Sequence, residues 1–330
     1  MSNKILVTGG AGYIGSHTCK MLKIQGYEPV VYDNLSRGHS WAIKWGPLVK
    51  GDLQETERIV RTLQEHQIQA VIHFAAYAYV GESVQMPELY YENNFGGTLS
   101  LLKAMQKAGT KKIVFSSSCA TYGNPHKEFL TEDHPQNPIN PYGQSKLMVE
   151  KLLQDSVRAW GLEAVALRYF NAAGADPDGE IGEAHDPETH LIPLAIQAGL
   201  GKQNEISVFG NDYPTADGTG LRDYIHVNDL ASAHIAALKQ LLDNKITFEA
   251  FNLGTGHGYS VLQVIDKVSE VLGRKVPTRI IGRREGDPPK LVADATKAFK
   301  SLGWKAQCSD LESLITTAVQ WEKKQILIKP

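Results

Sequence analysis

Short, continuously apolar runs recur along the first half of the chain, and each has about the length of a β-strand. They lie near residues 4–8, 28–33, 70–74, 111–115 and 164–168. The runs do not alternate between apolar and polar positions, as a strand with one solvated face would. We therefore expect strands that are covered on both faces, which is typical of a parallel sheet.

Amphipathic stretches of helical length separate these runs. They predict helices near residues 12–25, 55–66 and 89–107, and a fourth helix that follows Pro141. Because strands and helices alternate, the pattern predicts an α/β fold with a mostly parallel, doubly wound sheet and right-handed crossovers.

The pattern changes after Phe170, where loops rich in Gly, Pro, Asp and His replace the regular periodicity. Such composition is typical of an irregular region. Near residues 222–238 a strand-like run and a helical stretch return, so we expect the chain to re-enter the first domain. The predicted division is a doubly wound domain over residues 1–170, with residues 221–250 returning to it, and a smaller mixed α/β C-terminal domain over residues 171–220 and 251–330.

Composition and charge exclude several classes of partner. The 330 residues include 34 basic and 36 acidic side chains, for a formal charge of −2. This balance directs no field at nucleic acid or at a membrane surface. The three cysteines, Cys19, Cys119 and Cys308, match neither a disulfide framework nor a paired zinc motif. No apolar run reaches the length of a membrane span. We expect a soluble, cytoplasmic protein that handles small molecules.

A glycine-rich turn, Gly-Gly-Ala-Gly-Tyr-Ile-Gly, occupies residues 9–15 between the first predicted strand and the first predicted helix. Its glycines permit a tight turn and let backbone N–H groups approach a pyrophosphate at the helix N-terminus. Asp33 ends the second strand, where it can accept hydrogen bonds from a ribose. Its charge favours NAD over NADP, although Arg37 nearby carries the opposite charge. The doubly wound domain is therefore predicted to be a Rossmann domain; an ordinary glycine-rich turn is the alternative.

Tyr142 and Lys146 are four residues apart at the start of the helix that follows Pro141, so they share one face. A nearby cation stabilises a phenolate, and we expect Lys146 to lower the pKa of Tyr142 so that it can act as a general base. Ser118 ends a buried strand at the carboxyl edge of the sheet, where ligands bind in such folds. We predict that all three residues are catalytic; polar strand ends bonded to the backbone are the alternative for the serine.

Taken together, these motifs resemble the signature of the extended short-chain dehydrogenase/reductase superfamily. Further blocks at residues 168–174, 209–215, 221–227 and 283–287 are similar to those of UDP-sugar 4-epimerases, which belong to its NAD-dependent epimerase/dehydratase family. The resemblance extends over nearly the whole chain. It implies NAD as the cofactor, a UDP-sugar as the substrate and a homodimer as the assembly.

The resemblance also implies two sets of site residues. The NAD site would be lined by Gly9, Gly12, Tyr13, Ile14, Gly15, Asp33, Asn34, Asp52, Leu53, Phe74, Ala75, Asn93, Lys146 and Phe170. The substrate site would comprise Ser118, Tyr142, Asn171, His190, Leu191, Arg222, Arg284 and Asp287. The planar guanidinium groups of the two arginines suit a diphosphate.

Two positions depart from the family pattern or leave the substrate open, and one group of residues was considered as a metal site. His190 stands where many such epimerases carry asparagine, although it can still bond a phosphate. Leu291 occupies a position that varies between bulky and small side chains near the sugar, which leaves acceptance of an N-acetyl group open. His185 and His190 with Asp186 show no recognised metal-ligand spacing, and we expect no metal site.

The implied reaction is the reversible inversion of carbon 4 between UDP-glucose and UDP-galactose, through a 4-keto intermediate and with tightly bound NAD. Related dehydratases and decarboxylases carry acidic residues where this chain has Cys119 and Ala120, which cannot perform that proton transfer. Two alternatives remain open. One is 4-epimerisation of another UDP-sugar, such as UDP-N-acetylglucosamine or UDP-xylose. The other is a non-catalytic, NAD-binding regulator, which would not need Tyr142 and Lys146.

Overall fold

The computed structural model describes residues 3–284 and 287–328, and Glu285 and Gly286 of the predicted 283–287 block lie outside them. The described strands are β1 Lys4–Thr8, β2 Glu28–Asp33, β3 Leu48–Lys50, β4 Ala70–His73, β5 Lys112–Ser118, β6 Glu163–Tyr169, β7 Asn171–Ala173, β8 Ile206–Phe209, β9 Leu221–Arg222, β10 Tyr224–His226, β11 Phe248–Leu253, β12 Tyr259–Ser260, β13 Thr278–Ile281 and β14 Lys290–Leu291.

The described α-helices are α1 Tyr13–Ile24, α2 Thr56–Glu65, α3 Val80–Gln85, α4 Pro87–Tyr90, α5 Gly97–Ala108, α6 Pro141–Trp160, α7 Leu191–Gly199, α8 Val227–Leu242, α9 Val261–Leu272, α10 Thr296–Leu302 and α11 Leu311–Ile328. The single helix predicted near residues 89–107 is in fact α4 and α5 joined by a π-helical turn, Tyr91–Gly96. None of the described helices combines the length and the apolar character needed to cross a membrane.

A parallel sheet of seven strands forms the centre of the described structure, in the order β11-β6-β5-β4-β1-β2-β3. The predicted doubly wound Rossmann sheet is confirmed. The strand order reverses between β1 and β4, and open α/β sheets bind ligands outside the carboxyl ends of the strands at such a switch point. This reversal places the ends of β1 and β4 at the site described below.

Helices cover both faces of this sheet, which explains the continuously apolar strands. On one face Val7 of β1 packs in the same core as Leu230 of α8. On the other, Leu6 of β1 packs in a core with Leu101 of α5 and Val149 of α6. Successive residues of one strand thus enter opposite cores, as the pleat of a strand requires.

A smaller core lies around α7, α9 and α11, where Ile196, Val264 and Ile315 pack together. Pairs and triplets of short strands accompany it, including the parallel pair β8 and β13. This part of the chain has the mixed α/β character expected for the second domain.

The chain contributes more residues to the large sheet and its cores than the predicted division assigned to the first domain. The strand β11 pairs with β6 through Leu253, whereas the predicted return ended at residue 250. In addition, Ala298, Leu302 and Trp304 pack in the same core as β1, although residues 251–330 were assigned wholly to the second domain. An edge strand and a helix of seven residues carry too little periodicity to be located from sequence.

Candidate functional site

The glycine-rich turn follows β1 directly and opens α1. Gly9 adopts a positive φ of 71°, and a Cβ on Gly15 would lie 2.2 Å from the backbone oxygen of Gly9. Gly12 is the N-cap residue of α1 and has no side chain to cap it. The first N–H groups of α1 are therefore directed at the space beyond the turn, where an anionic group is favoured.

Asp33 lies beside this turn, at the end of β2. Its two carboxylate oxygens accept hydrogen bonds from the backbone N–H groups of Ala11 (3.0 Å) and Leu35 (2.8 Å). Burial raises the pKa of Asp33, and the two backbone donors oppose that rise. The hydrogen bonds fix the carboxylate at the edge of the cavity.

Arg37, whose positive charge could have favoured the phosphorylated ribose of NADP, already has an acidic partner. Its guanidinium group donates to Glu82 at 2.7 Å. The same group lies over the rings of Tyr77 and Tyr79, at 5.4 and 5.1 Å from their centres. Because its charge is compensated by Glu82, the expectation of NAD rather than NADP is strengthened.

The two residues of the predicted Tyr-Lys pair lie in the first turns of α6. The side chain of Asn140 caps this helix by accepting a hydrogen bond from the N–H of Gly143 at 2.8 Å. Nζ of Lys146 donates to the backbone oxygen of Ser116 at 2.8 Å and lies 5.8 Å from the centre of the Tyr142 ring. The cap and the anchor on β5 hold the two side chains at the carboxyl edge of the sheet.

Burial governs the protonation of this pair. It raises the pKa of Tyr142; Tyr169 adds to the rise, and a hydrogen bond with Ser118 opposes it. Burial also lowers the pKa of Lys146 to about 7, against the attraction of Glu150. The predicted lowering of the Tyr142 pKa by Lys146 is therefore wrong for the chain in this structure, because desolvation penalises the phenolate and the ammonium alike.

A buried ion pair behind the site was not foreseen. Glu150 accepts hydrogen bonds from Arg168 (2.6 Å) and from the Ser117 hydroxyl (2.5 Å), and the two charged side chains are 1% and 5% exposed. Arg168 also donates to the hydroxyl of Tyr122 at 2.9 Å. Glu150 follows Lys146 by four residues on α6, so helical spacing was the signal that could have found it.

A cavity of about 470 Å³ opens at this edge of the sheet, between the glycine-rich turn and the start of α6. Most of the predicted site residues line it. They are Gly9, Gly12, Tyr13, Ile14, Gly15, Asp33, Asn34, Leu53, Phe74, Ala75, Asn93, Ser118, Tyr142, Lys146, Phe170, Asn171, His190 and Asp287, and Leu291 lines it as well.

Four predicted residues are not on this wall: Asp52, Leu191, Arg222 and Arg284. Asp52 lies directly behind it and accepts a hydrogen bond from Asn34 at 2.8 Å. Leu191 is the first residue of α7 and packs against the smaller core. Neither Asp52 nor Leu191 borders the cavity in this structure, and their contacts with a ligand stay predictions.

The two arginines are brought together through Asp287, although neither lines the main cavity. Arg222 forms an ion pair with Asp287. Arg284 lies over the ring of Phe209, 3.7 Å from its centre, and lines a neighbouring pocket. Asp287 borders both spaces. Asp287 thus contacts Arg222 and borders the pocket that Arg284 lines, and a shared role of the two arginines at a diphosphate stays a prediction.

The loop before α7 contains a group of side chains that sequence reasoning only partly anticipated. His185 and His190 were considered with Asp186, but the structure groups them with Glu183 and Glu188 instead. Burial alone would lower the histidine pKa values, yet the two carboxylates raise that of His185 to about 9 and that of His190 to about 10. The repeated Glu-x-His spacing was the available signal.

Comparison with known proteins gives a consistent result. Residues 5–254 match the "NAD dependent epimerase/dehydratase family". A UDP-glucose 4-epimerase of Rhizobium leguminosarum bv. trifolii is 52% identical over 320 residues, which are 97% of each chain. The crystal structure of a UDP-glucose 4-epimerase from Brucella ovis in complex with NAD is 53% identical, with a TM-score of 0.95 over 96% of this chain and 98% of that one.

A third relative was crystallised with a ligand as well as the cofactor. The UDP-glucose 4-epimerase from Stenotrophomonas maltophila with bound NAD and formylated UDP-arabinopyranose is 42% identical. Its TM-score is 0.95, over 98% of this chain and 99% of that one.

Proposed function

Because the chain belongs to the NAD-dependent epimerase/dehydratase family, we propose that it interconverts UDP-glucose and UDP-galactose by inverting carbon 4 through a transient 4-keto sugar. One observation carries the proposal: Ser118, Tyr142 and Lys146 meet in the wall of the cavity that the glycine-rich turn borders. Relatives about half identical over nearly the whole chain carry the name of this activity.

The residues around the turn fit NAD. The space that a Cβ at Gly15 would occupy is closed by the backbone of Gly9, so the turn keeps the tight form in which its N–H groups face a pyrophosphate. Asp33 and Lys146 both line the cavity, and Asp33 offers a carboxylate to which a ribose can donate hydrogen bonds. When bound, NAD supplies reversible acceptance of a hydride from carbon 4.

Tyr142 is the group that takes the proton of the sugar 4-hydroxyl and returns it. Ser118 orients that hydroxyl, since it lines the cavity together with Tyr142 and lies at the same edge of the sheet. Lys146 is held by its bond to Ser116, which keeps its amine 5.8 Å from the centre of the Tyr142 ring. Burial makes each of these interactions stronger than it would be in water.

The residues after Ser118 favour reversible oxidation over loss of water or carbon dioxide. Cys119 and Ala120 line the cavity where an acid would be needed for either of those reactions. Burial raises the pKa of the Cys119 thiol to about 12, so it does not exchange protons readily near neutral pH. Among Ser118, Cys119, Ala120 and Tyr142, we therefore assign the proton transfer to Tyr142.

The nucleotide end of the substrate lies toward Asp287. Arg222 and Arg284 flank this residue and offer planar donors to a diphosphate. Asn171, His190 and Leu291 line the same cavity as Asp287 and Tyr142. In this arrangement the diphosphate is held while the sugar ring turns, and the side chain of Leu291 limits the bulk of the sugar.

The assembly we propose is a homodimer in the cytoplasm. Val80, Val84 and Met86 are exposed hydrophobic side chains at the surface near α6, with 44–62% of their area accessible. The cysteines in the described part of the chain are all free, which suits a reducing compartment. Light scattering of the purified protein measures the mass of the assembly. We expect the mass of two chains, and the mass of one chain would contradict the homodimer.

The experiment that tests the function is to incubate the purified protein separately with UDP-glucose, UDP-N-acetylglucosamine and UDP-xylose, without added cofactor. Products are identified by proton NMR. We expect UDP-galactose from UDP-glucose. If only another of these UDP-sugars is converted to its 4-epimer, the proposed reaction is correct and the proposed substrate is wrong. Protein that contains NAD but converts none of the three would favour the non-catalytic regulator.

A further inference from the structure

Four side chains of one loop lie close together: Glu183, His185, Glu188 and His190. Glu183, His185 and His190 also line the cavity. We call the four side chains the Glu-His cluster. We propose that the Glu-His cluster binds one divalent transition-metal ion, with Zn²⁺ as the representative, and that this ion fastens the loop against the NAD-binding domain. The site is separate from the proton-transfer residues and takes no part in the chemistry at carbon 4.

The distances within the cluster are those of a coordination shell. The ligand atoms all lie within 4.8 Å of one another. Nδ1 of His190 is 2.8 Å from Glu183 and 3.1 Å from Glu188, and Nδ1 of His185 is 3.1 Å from Glu183 and 3.7 Å from Glu188. Ligands of a tetrahedral zinc ion at bond lengths of about 2.0–2.2 Å are separated by about 3.4 Å. The four histidine–carboxylate distances, from 2.8 to 3.7 Å, include that value.

One imidazole nitrogen of the cluster lacks an aligned hydrogen-bond partner. Nδ1 of His185 is buried and has no aligned hydrogen-bond partner in the part of the chain that the structure describes, although a Glu183 oxygen lies 3.1 Å away. Its neighbour His190 approaches the same oxygen of Glu183 more closely. Two imidazoles therefore compete for the same carboxylates, and a central ion would satisfy both nitrogens at once.

The donor set selects the class of ion. Two imidazole nitrogens and two carboxylate oxygens suit zinc and its first-row neighbours, whereas Ca²⁺ and Mg²⁺ prefer oxygen ligands alone. The two carboxylates also neutralise a divalent charge in a site where Glu183 and Glu188 are only 8% and 7% exposed. Four protein ligands leave no open position, which is the mark of a structural site.

The surroundings of the cluster indicate what the ion would hold in place. The backbone oxygen of Glu183 accepts a hydrogen bond from Trp321 at 2.8 Å. Next to it, the backbone oxygen of Ala184 lies 2.6 Å from Nε2 of His39 in the NAD-binding domain. Tyr13 of the glycine-rich turn meets the ring of His185 edge-on at 6.2 Å. Fastening this loop would stiffen the side of the cavity next to the cofactor.

A second group of acidic residues in the same loop provides a contrast. Asp176, Asp178 and Glu180 also lie close together. Nζ of Lys20 bonds all three at 2.7–2.9 Å, so an ammonium group already fills the cationic position. This group supports no metal, and Asp178→Asn is a matched control for removing a loop carboxylate.

The test is metal binding by the NAD-containing protein after treatment with a chelator and its removal. Zn²⁺ is titrated by calorimetry, the bound metal is counted by mass spectrometry after gel filtration, and the melting temperature is recorded with and without Zn²⁺. We expect one ion per chain and a rise of a few degrees in Tm. Ca²⁺ and Mg²⁺ at the same concentration should not compete.

Variants locate the ion. His185→Gln and, independently, Glu188→Gln should weaken Zn²⁺ binding by at least about 10-fold and abolish the rise in Tm. Asp178→Asn and the exposed His257→Gln should bind as the parent does. His190 is not used, because it is also placed at the substrate. If His185→Gln fails to fold, Glu188→Gln decides alone. Absence of stoichiometric binding, or binding that neither cluster variant weakens, would overturn the proposal.

Discussion

Nζ of Lys146 lies 5.8 Å from the centre of the Tyr142 ring, and both side chains are buried at the carboxyl edge of the central sheet. Burial favours the neutral form of each, so it raises the pKa of Tyr142 and lowers that of Lys146 to about 7. The two groups therefore do not act as a preformed phenolate and ammonium pair. For Tyr142 to act as a general base, a nearby positive charge must offset the desolvation that raises its pKa.

Replacing Tyr142 by phenylalanine removes the proposed proton-transfer group and keeps the ring. We expect kcat for conversion of UDP-glucose to fall by about 10²- to 10⁴-fold, the usual contribution of a positioned general acid or base. The bound NAD per chain should stay at the parent level. Tyr27→Phe, at a tyrosine away from the cavity, is the control and should leave kcat unchanged. Equal rates for Tyr142→Phe and the parent would remove Tyr142 from the mechanism.

The lowered pKa of Lys146 predicts a pH dependence of stability. In the folded chain this pKa is about 7, whereas an unfolded lysine has a pKa of about 10.4. Between these two values the unfolded chain binds a proton that the folded chain has released, so stability rises with pH in that window. Lys146→Met lacks this contribution.

The measurement is the melting temperature of the parent and of Lys146→Met between pH 7 and pH 9.5. We expect the parent to gain relative to the variant as the pH rises. Lys103→Met, at an exposed position on the surface of α5, should show a constant difference from the parent. A constant difference for Lys146→Met as well would show that the buried amine keeps an ordinary pKa.

Gly15→Ala tests the turn that faces the pyrophosphate. A Cβ there would lie 2.2 Å from the backbone oxygen of Gly9, so the turn must open. We expect purified Gly15→Ala to contain less NAD than the parent, measured as nucleotide released on denaturation, and to melt at a lower temperature.

The matched control is Gly81→Ala on α3, where an added Cβ meets no atom within 4 Å. Alanine is favoured over glycine inside a helix by about 0.5–1 kcal/mol, so this variant should keep its NAD and melt at or above the parent temperature. The same NAD content in both variants would mean that the tightness of the turn at Gly15 does not matter for the cofactor.

The sequence predicts those parts of the fold that depend on local patterns. Runs of consecutive residues predict the buried strands β1, β2 and β4 to β6 and the glycine-rich turn. The structure confirms the sheet that these strands form. The strands β3 and β11 were missed, because a short edge strand has little apolar pattern. The helix α10 was not predicted, and its packing against the core of β1 could not be foreseen because its partners lie far along the chain.

Side-chain pairing was harder to predict than the course of the backbone. Glu150 and Arg168 meet only when α6 packs on β6. Glu183 and Glu188 join the two histidines only because the loop folds back on itself, while Asp186, adjacent in sequence, is not one of the grouped ligands. The pKa of Tyr142 was misjudged for a related reason, since charge spacing is visible in a sequence and desolvation is not.

The central claim is that carbon 4 gives up its hydrogen inside the protein and regains the same hydrogen on the opposite face. UDP-glucose that carries deuterium at carbon 4 is incubated with the purified protein in ordinary water, without added NAD. Mass spectrometry and NMR then follow the label. We expect UDP-galactose that retains the deuterium at carbon 4. UDP-galactose that has lost the deuterium to solvent would contradict it.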